Sequence, residues 1–408
     1  MIKSSFFSLI LLALAINIIN AQDSTATLKL LFAGDVMGHG PQIKSAEIVK
    51  NNSYDYEPCF KYLSPIIESA DLAIANLEVT LPGKAPYQGY PRFRSPDDLA
   101  RALRLSGFDM MVTSNNHSND AGKDGVIETI NTLKEYGFYQ TGTFKNQEEK
   151  DWFYPLIVYK DNFKLAFLNY TYDTNGLPTK APTIVNLIDE TQIEKDMAMA
   201  RALKPDAIIV IMHWGLEYQL TESKVQRELT KNIFDWGADL VIGSHPHVIQ
   251  PIREQDLIEN DSTIKKRLVT YSLGNFISNQ NKPNTDGGLI FEISLHKNLK
   301  TNKLSLGEHH YIPVWRYIHK DKTGKATFYA LPVSAFEEEE NVLNMTSKNW
   351  EAMLNFAKKT RKHLAKSDGV ERKVTLEELN RADLRLQDKP VLIKDIERTK
   401  IKIEQKQN

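Results

Sequence analysis

Cysteine is almost missing from this chain: its 408 residues include one, Cys59. An intramolecular disulfide, a multi-thiolate zinc site and a cysteine-held iron–sulfur cluster are thereby excluded, and Cys59 is a free thiol. An excess of one charge is missing too. The 51 lysines and arginines face 52 aspartates and glutamates, for a formal net charge of −1. Sequence-independent nucleic-acid binding needs a basic surface, so no nucleic acid is expected as a partner. Long apolar runs are confined to the start of the chain. Nothing later supplies the roughly eighteen apolar residues needed to cross a bilayer. What is present is ordinary for a globular protein, with 41% hydrophobic and 25% charged residues. Any metal must be held mainly by His, Asp, Glu or Asn, which makes the ten histidines the residues to place.

The first 21 residues, MIKSSFFSLILLALAINIINA, combine Lys3, an apolar run from Phe6 to Ile19, and Ala21 before the polar QDSTAT. This is the layout of a secretory signal peptide and predicts an exported protein of the periplasm or cell envelope. The alternative is an uncleaved N-terminal anchor, because Ile19 is bulky for the third position before a cut. No cysteine follows the run, so lipoprotein anchoring there is excluded. At the other end come Glu337 to Glu340, a lysine-rich stretch from Trp350 to Lys366, and a charged run from Glu371 to Asn408. Met353, Leu354, Phe356, Ala357 and Leu364 predict an amphipathic helix within this region. Residues 336–408 therefore read as a charged helical extension that caps the main domain and frays at its end. The main domain is expected over residues 27–335.

Within that domain five short apolar runs each end in polar residues. Leu28 to Ala33 ends in Gly34-Asp35, Leu72 to Ala75 in Asn76-Leu77-Glu78, and Phe108 to Thr113 in Ser114-Asn115-Asn116-His117. Ala207 to Met212 ends in His213-Trp214-Gly215, and Leu240 to Ile242 in Gly243-Ser244-His245-Pro246-His247. Such runs are the type expected for strands buried on both faces. Helices are predicted between several of them. Ser95-Pro96-Asp97-Asp98 opens one that Gly107 closes, Gly125 to Tyr136 forms a second, and Gln192 to Leu203 and Thr221 to Trp236 form two more. Alternating strand and helix implies an α/β sheet, whose ligands gather at the carboxyl ends of the strands. One sheet would bring Asp35, Glu78, Asn116, His117, His213, His245 and His247 to a common rim.

Taken singly, each of these residues has a plain structural reading. Asp35 could cap a turn, Glu78 could face solvent, Asn116 and His117 could be hydrogen-bonded loop residues, and His213 could be a satisfied core histidine. The pair His245/His247 is harder to set aside, because i, i+2 spacing on an extended segment puts both rings on one side. Seven such groups at five strand exits favour a shared site. Carboxylate, amide oxygen and imidazole without thiolate suit Mn, Fe, Zn, Mg or Co and do not distinguish among them. Seven groups suffice for two ions sharing a carboxylate, an arrangement used in phosphoester hydrolysis, with His117 placed to protonate a leaving group.

The ordered blocks FAGDVMGHG, ADLAIANLEVTL, RFRSP, VTSNNHSNDAG, MHWGLEY, GSHPHV and YSLGNFI run from Phe32 to Ile277. With them the chain resembles the CapA/PgsA capsule-synthesis (poly-gamma-glutamate) family, a branch of the calcineurin-like metallophosphoesterases. The resemblance implies two packed sheets between helices, a metallophosphoesterase-type sandwich. It also implies that Asn116, His213 and His245 bind one ion and Asp35 and His247 the other, with Glu78 able to bridge and His117 as the acid. The wider family has a histidine two positions after the first aspartate, where this chain has Met37, a poor ligand for hard metals. Asn76 and Glu78 stand where the wider family has an aspartate, and the CapA branch itself carries this Asn-Leu-Glu form. One or two divalent ions (Mn, Zn, Fe or Mg) are the implied cofactors.

Arg92 and Arg94 alternate around Phe93, so both guanidinium groups are expected on one side, against an anionic substrate. Gly274-Asn275 is a turn able to bring backbone close to the site, with Asn275 as a further substrate contact. The expected function is that of an exported capsule-biosynthesis protein with a metal-dependent, phosphoesterase-like hydrolytic site. Its partners would be an anionic envelope polymer or phosphoester substrate and the membrane proteins of capsule synthesis. The alternative is a metal-stabilised binding or assembly component of polymer export that turns nothing over.

Overall fold

The computed structural model describes residues 25–51, 53–258, 264–338 and 343–381. The expected leader at 1–21 and the end of the charged extension, from 382 onward, lie outside the described residues. Thr25–Val36 opens the fold with the exposed Thr25 and Thr27, then becomes buried at every position from Leu30 onward. A strand covered on both faces requires that pattern.

All five apolar runs form strands, and they divide between two sheets, as the family resemblance implied and the runs alone did not. The first sheet runs from edge to edge through Ala326–Pro332, Leu304–Lys320, Gly287–Asn298, Thr25–Val36, Leu72–Leu77, Met110–Val112 and Tyr139–Thr141. Its last four strands are parallel and the others antiparallel. The second sheet runs through Ile252–Ile258, Ile264–Thr270, Leu240–Ser244, Ala207–His213, Phe163–Thr171 and Leu156–Lys160. Its four central strands are parallel. Period-two alternation explains how the sheets pack. Ile209, Ile211, Leu240 and Ile242 share a core with Phe32 and Ile74 of the first sheet. Ile208, Val210, Met212 and Val241 point the other way and pack on Ile193, Met197, Leu229, Ile233 and Phe234. The result is an α/β sandwich with two sheets face to face and helices outside.

The helices start where their caps allow. Asp189 accepts from Gln192 N–H to open Glu190–Ala202, and Ser223 with Gln226 forms a capping box for Lys224–Asp235. Both begin within three residues of the predicted starts. Gly122–Glu135 and Asp98–Leu105 lie against the first sheet, and Gly137 and Gly107 follow them with φ of +76° and +104°.

The amphipathic helix predicted in the C-terminal region is Ser347–Leu364. It is docked on the first sheet, and Met353, Phe356, Ala357 and Leu364 belong to that sheet's core. Val370–Glu371 then adds a short parallel strand beside His310-Tyr311. Charge closes the seam. Arg361 bridges Glu371 at 2.7 and 2.8 Å and Glu337 at 2.7 and 2.9 Å, and Arg372 reaches the buried Glu292 at 2.7 Å. Cys59 is buried, and burial pushes its thiol up to about 12. No helix among the described residues is long and apolar enough to cross a membrane.

Candidate metal centre

The carboxyl ends of the parallel strands from both sheets meet at one place, and the buried polar residues collect there. Asp35 leaves Thr25–Val36 through a register shift at Gly34, which turns its carboxylate inward. That turn depends on two bare backbones in contact. A Cβ on Gly34 would stand 2.0 Å from the Gly274 carbonyl oxygen, and Asp35 N–H donates to the same carbonyl at 3.0 Å. Gly274, with φ of +70°, brings backbone to the site as its turn chemistry predicted.

Asn76, at the end of Leu72–Leu77, donates from Nδ2 to Asp35 Oδ1 at 2.8 Å. Glu78 follows it and is fully buried. Neither of its oxygens accepts a hydrogen bond. Burial, with the Asp35 charge beside it, holds the Glu78 carboxyl well above its usual range. His213 ends its strand with Nε2 at 2.8 Å from Asn116 Oδ1 and 3.5 Å from Glu78 Oε1. Ser244 Oγ lies 3.1 Å from its other nitrogen.

His245 and His247 converge by a route different from the expected one. The segment after Ser244 is not extended, and both histidines have positive φ, +98° and +57°. Strained backbone of this kind at non-glycine residues marks sites that the surrounding fold over-determines. His245 Nδ1 is buried without a partner. His247 Nδ1 lies 3.2 Å from Asp35 Oδ2 and 3.1 Å from Asn275 Oδ1, leaving Nε2 at 3.7 Å from Glu78. The Asn275 amide is fixed from its other side, because Nδ2 donates to Thr285 O at 2.9 Å and Gln280 Oε1 at 3.1 Å. Asn275 therefore orients His247, presenting Nε2 to the centre. Burial, followed by charge from neighbouring histidines, keeps His213 well below the ordinary imidazole range and His245 down to about 3. Both rings are neutral and ready to act as ligands.

Ligand atoms of Glu78, His213 and His245 lie within 4.8 Å of one another, and so do those of Asp35, Glu78 and His247. Glu78 belongs to both groups. Two buried carboxylates facing uncharged imidazoles, with orphaned atoms on Glu78 and His245, fit a pair of divalent cations sharing Glu78. Asn116 Oδ1 is a further oxygen donor atom beside His213.

His117 stands at the rim. Its Nδ1 is 2.7 Å from Asp120 Oδ2, and the same oxygen accepts from Phe93 N–H. Nε2 makes no hydrogen bond among the described residues. The Phe93 ring meets His117 edge-on at 4.6 Å. Between the two arginines it is this phenylalanine that touches the cluster. Arg92 is exposed and Arg94 half-buried, and neither is hydrogen-bonded to a histidine or carboxylate of the centre among the described residues. Met37 lies in the core, and His39 is the N-cap of the helix Gly40–Ala46, where its Nδ1 accepts from Asn279 N–H at 3.2 Å.

Sequence reasoning missed Asp120 and Tyr172. The His117-x-x-Asp120 spacing is a signal that was there to read. Tyr172 follows a sixth apolar run, Ala166 to Leu168, which ends as the other five do. Its ring lies 4.4 Å from that of His245, and burial raises its hydroxyl to about 12.

Residues 29–280 match the family described as bacterial capsule synthesis protein PGA_cap. Among curated proteins the chain is 28% identical over 283 residues to a capsule biosynthesis protein CapA of Bacillus anthracis, covering 66% of this chain and 64% of that one. The match thus spans just under two thirds of that relative. A PGA biosynthesis protein CapA of Bacillus subtilis (strain 168) is 25% identical over 281 residues, covering 67% of this chain and 70% of that protein. Among solved structures, a phosphatase from Mycoplasma pneumoniae aligns at 13% identity and TM-score 0.41, over 71% of this chain and 94% of that one. The NAD nucleotidase of Haemophilus influenzae aligns at 12% identity and TM-score 0.46, over 89% and 60%.

Proposed function

The chain belongs to the bacterial capsule synthesis family PGA_cap, and on that premise we propose that it serves capsule polymer synthesis as an exported, metal-dependent hydrolase of phosphoester type. The observation that carries this reading is Glu78, a fully buried carboxylate with no hydrogen-bond donor, shared by two sets of ligands. An anion buried in this way is costly unless cations compensate it. In this reading Asn116, His213, His245 and Glu78 hold one divalent ion, and Asp35, His247 and Glu78 hold the other. Such ions, when bound, supply Lewis acidity toward an ester oxygen.

The remaining steps fall to the chain's own side chains. His117 delivers a proton from Nε2 to the departing oxygen, and Asp120 holds the ring in the orientation that permits it. Asn275 keeps Nε2 of His247 on the centre. Phe93 and Tyr172 wall off two sides of the cluster and limit water. In this reading Arg92, exposed beside Phe93, and the half-buried Arg94 serve as cations for an anionic substrate, an envelope polymer or phosphoester. Membrane proteins of capsule synthesis are its partners in this reading, and the Phe6–Ile19 run is the export signal.

The test is metal quantitation on full-length protein purified without chelators, paired with turnover of phosphomonoesters and phosphodiesters. About two ions per chain are expected, with turnover lowered on the order of 10²- to 10⁴-fold in His117→Ala while metal content is kept. Absence of metal after reconstitution with manganese or zinc refutes the centre. Metal without turnover refutes the hydrolase and leaves a binding component. Fractionation should place a cleaved form in the envelope compartment, and full-length material in membranes would contradict export.

A further inference from the structure

The mouth of the centre carries three tyrosines, two of them beside histidines and the third on Phe93. Tyr172, 42% exposed, covers His245 at 4.4 Å. Tyr218, 37% exposed, lies 6.4 Å from His247. Tyr90, 78% exposed, packs at 6.4 Å on Phe93, which in turn covers His117. Large aromatic side chains left in water around a polar centre need a reason, since burial of such a ring is favourable.

Tyr218 is also held in place at a cost. Its φ is +66°, a region a bulky residue avoids, and its N–H donates to the Pro246 carbonyl at 2.8 Å. That bond ties it to the loop carrying His245 and His247. Strain of this sort persists where the surrounding fold requires it, and it accumulates at ligand clamps. Beside it in the chain is Glu217, exposed, whose charge bears on the hydroxyls of both Tyr172 and Tyr218. Among the described residues no lysine or arginine is paired with Glu217.

Three electron-rich ring faces and one carboxylate without a cationic partner are the chemistry that recognises an organic cation. A polyanionic chain gains nothing from this side of the mouth and is repelled by Glu217. We infer that the site selects phosphoesters whose alcohol carries an ammonium group, with the cation seated among Tyr90, Tyr172, Tyr218 and Glu217. This deepens the hydrolase reading and rests on it for the reaction but not for binding. In the reaction, water adds to phosphorus, the P–O bond to the amino-alcohol breaks, and the departing oxygen takes the His117 proton. The products are the amino-alcohol and a phosphate, with no change of oxidation state.

Phosphocholine and its uncharged tert-butyl isostere have the same shape and differ in charge, so the pair isolates the cation. Calorimetric titration of the full-length protein should show phosphocholine binding roughly tenfold more tightly than the isostere. Tyr218→Ala and Glu217→Gln should each collapse that ratio toward one while leaving affinity for inorganic phosphate unchanged. Unaltered thermal melts would show that both variants still fold. Equal binding of the two probes overturns the inference, as does a ratio that survives in both variants, or tighter binding of a hexose phosphate or a nucleotide. Loss of turnover with the charge preference intact would sink the hydrolase alone. Turnover without charge preference would sink the cation site alone.

Discussion

Glu78→Gln separates the electrostatics of the centre from its packing. The substitution keeps shape and volume and removes the ionisable group. In the metal-free protein, burial and Asp35 hold the Glu78 carboxyl well above its ordinary value of 4.5. The unfolded chain loses that proton near 4.5 and the folded chain keeps it. Stability contributed by this group is therefore intact below that pH and declines as pH rises toward the folded value. Each pH unit in that window costs about 1.4 kcal/mol, which caps the penalty at roughly 3 to 4 kcal/mol at pH 7. After chelation, Glu78→Gln should match the wild type near pH 4.5 and exceed it by up to that amount at pH 7. Manganese should reverse the order. A ligand at about 100 times its dissociation constant stabilises by about 2.7 kcal/mol, a rise in Tm on the order of 5 °C for a domain of this size. The wild type should show that rise and the variant should not. Melts by circular dichroism at several pH values, with chelator and with manganese, read both effects. If chelated Glu78→Gln is the less stable protein at pH 7, and manganese stabilises both alike, the account of Glu78 as a shared metal ligand is wrong.

Asn275→Ala should lower affinity for manganese or zinc roughly 10- to 100-fold with little loss of fold, because it frees the His247 ring without removing a ligand; competition with a metal-binding dye measures this. Asp120→Asn should leave metal content unchanged and reduce turnover on the order of tenfold or more, with a changed acidic limb in the pH–rate profile. Met353→Ala should cost about 2 to 5 kcal/mol in denaturant unfolding, in one transition with the rest of the chain. A separate early transition would show instead that the C-terminal helix is only loosely attached.

Much of the centre was legible because each ligand sits where a short apolar run gives way to polar residues. Asp35, Glu78, Asn116, His117, His213, His245 and His247 were all singled out in this way. The division into two sheets came from the resemblance of the motif blocks and not from the runs, since period-two alternation says that a strand is covered and not which strand lies beside it. The crossing of His245 and His247 was hidden for a different reason. No glycine marks their positive φ, so the sequence looks extended where the backbone folds back. Asp120 and Tyr172 follow readable patterns, whereas Glu217 and Tyr218 stand in the block MHWGLEY with no chemistry of their own to single them out. The docking of Ser347–Leu364 was masked by lysines on its outer face, around a narrow stripe that proved sufficient to join the core.

The contact between Gly34 and Gly274 has an evolutionary consequence. Two positions far apart in the chain act as a single unit of variation, because a side chain at the first is admissible only once the backbone at the second has withdrawn. Single-step drift at Gly34 is blocked. Descendants that keep Asp35 at the centre should keep both glycines, and lineages that abandon the aspartate are free to lose the pair together.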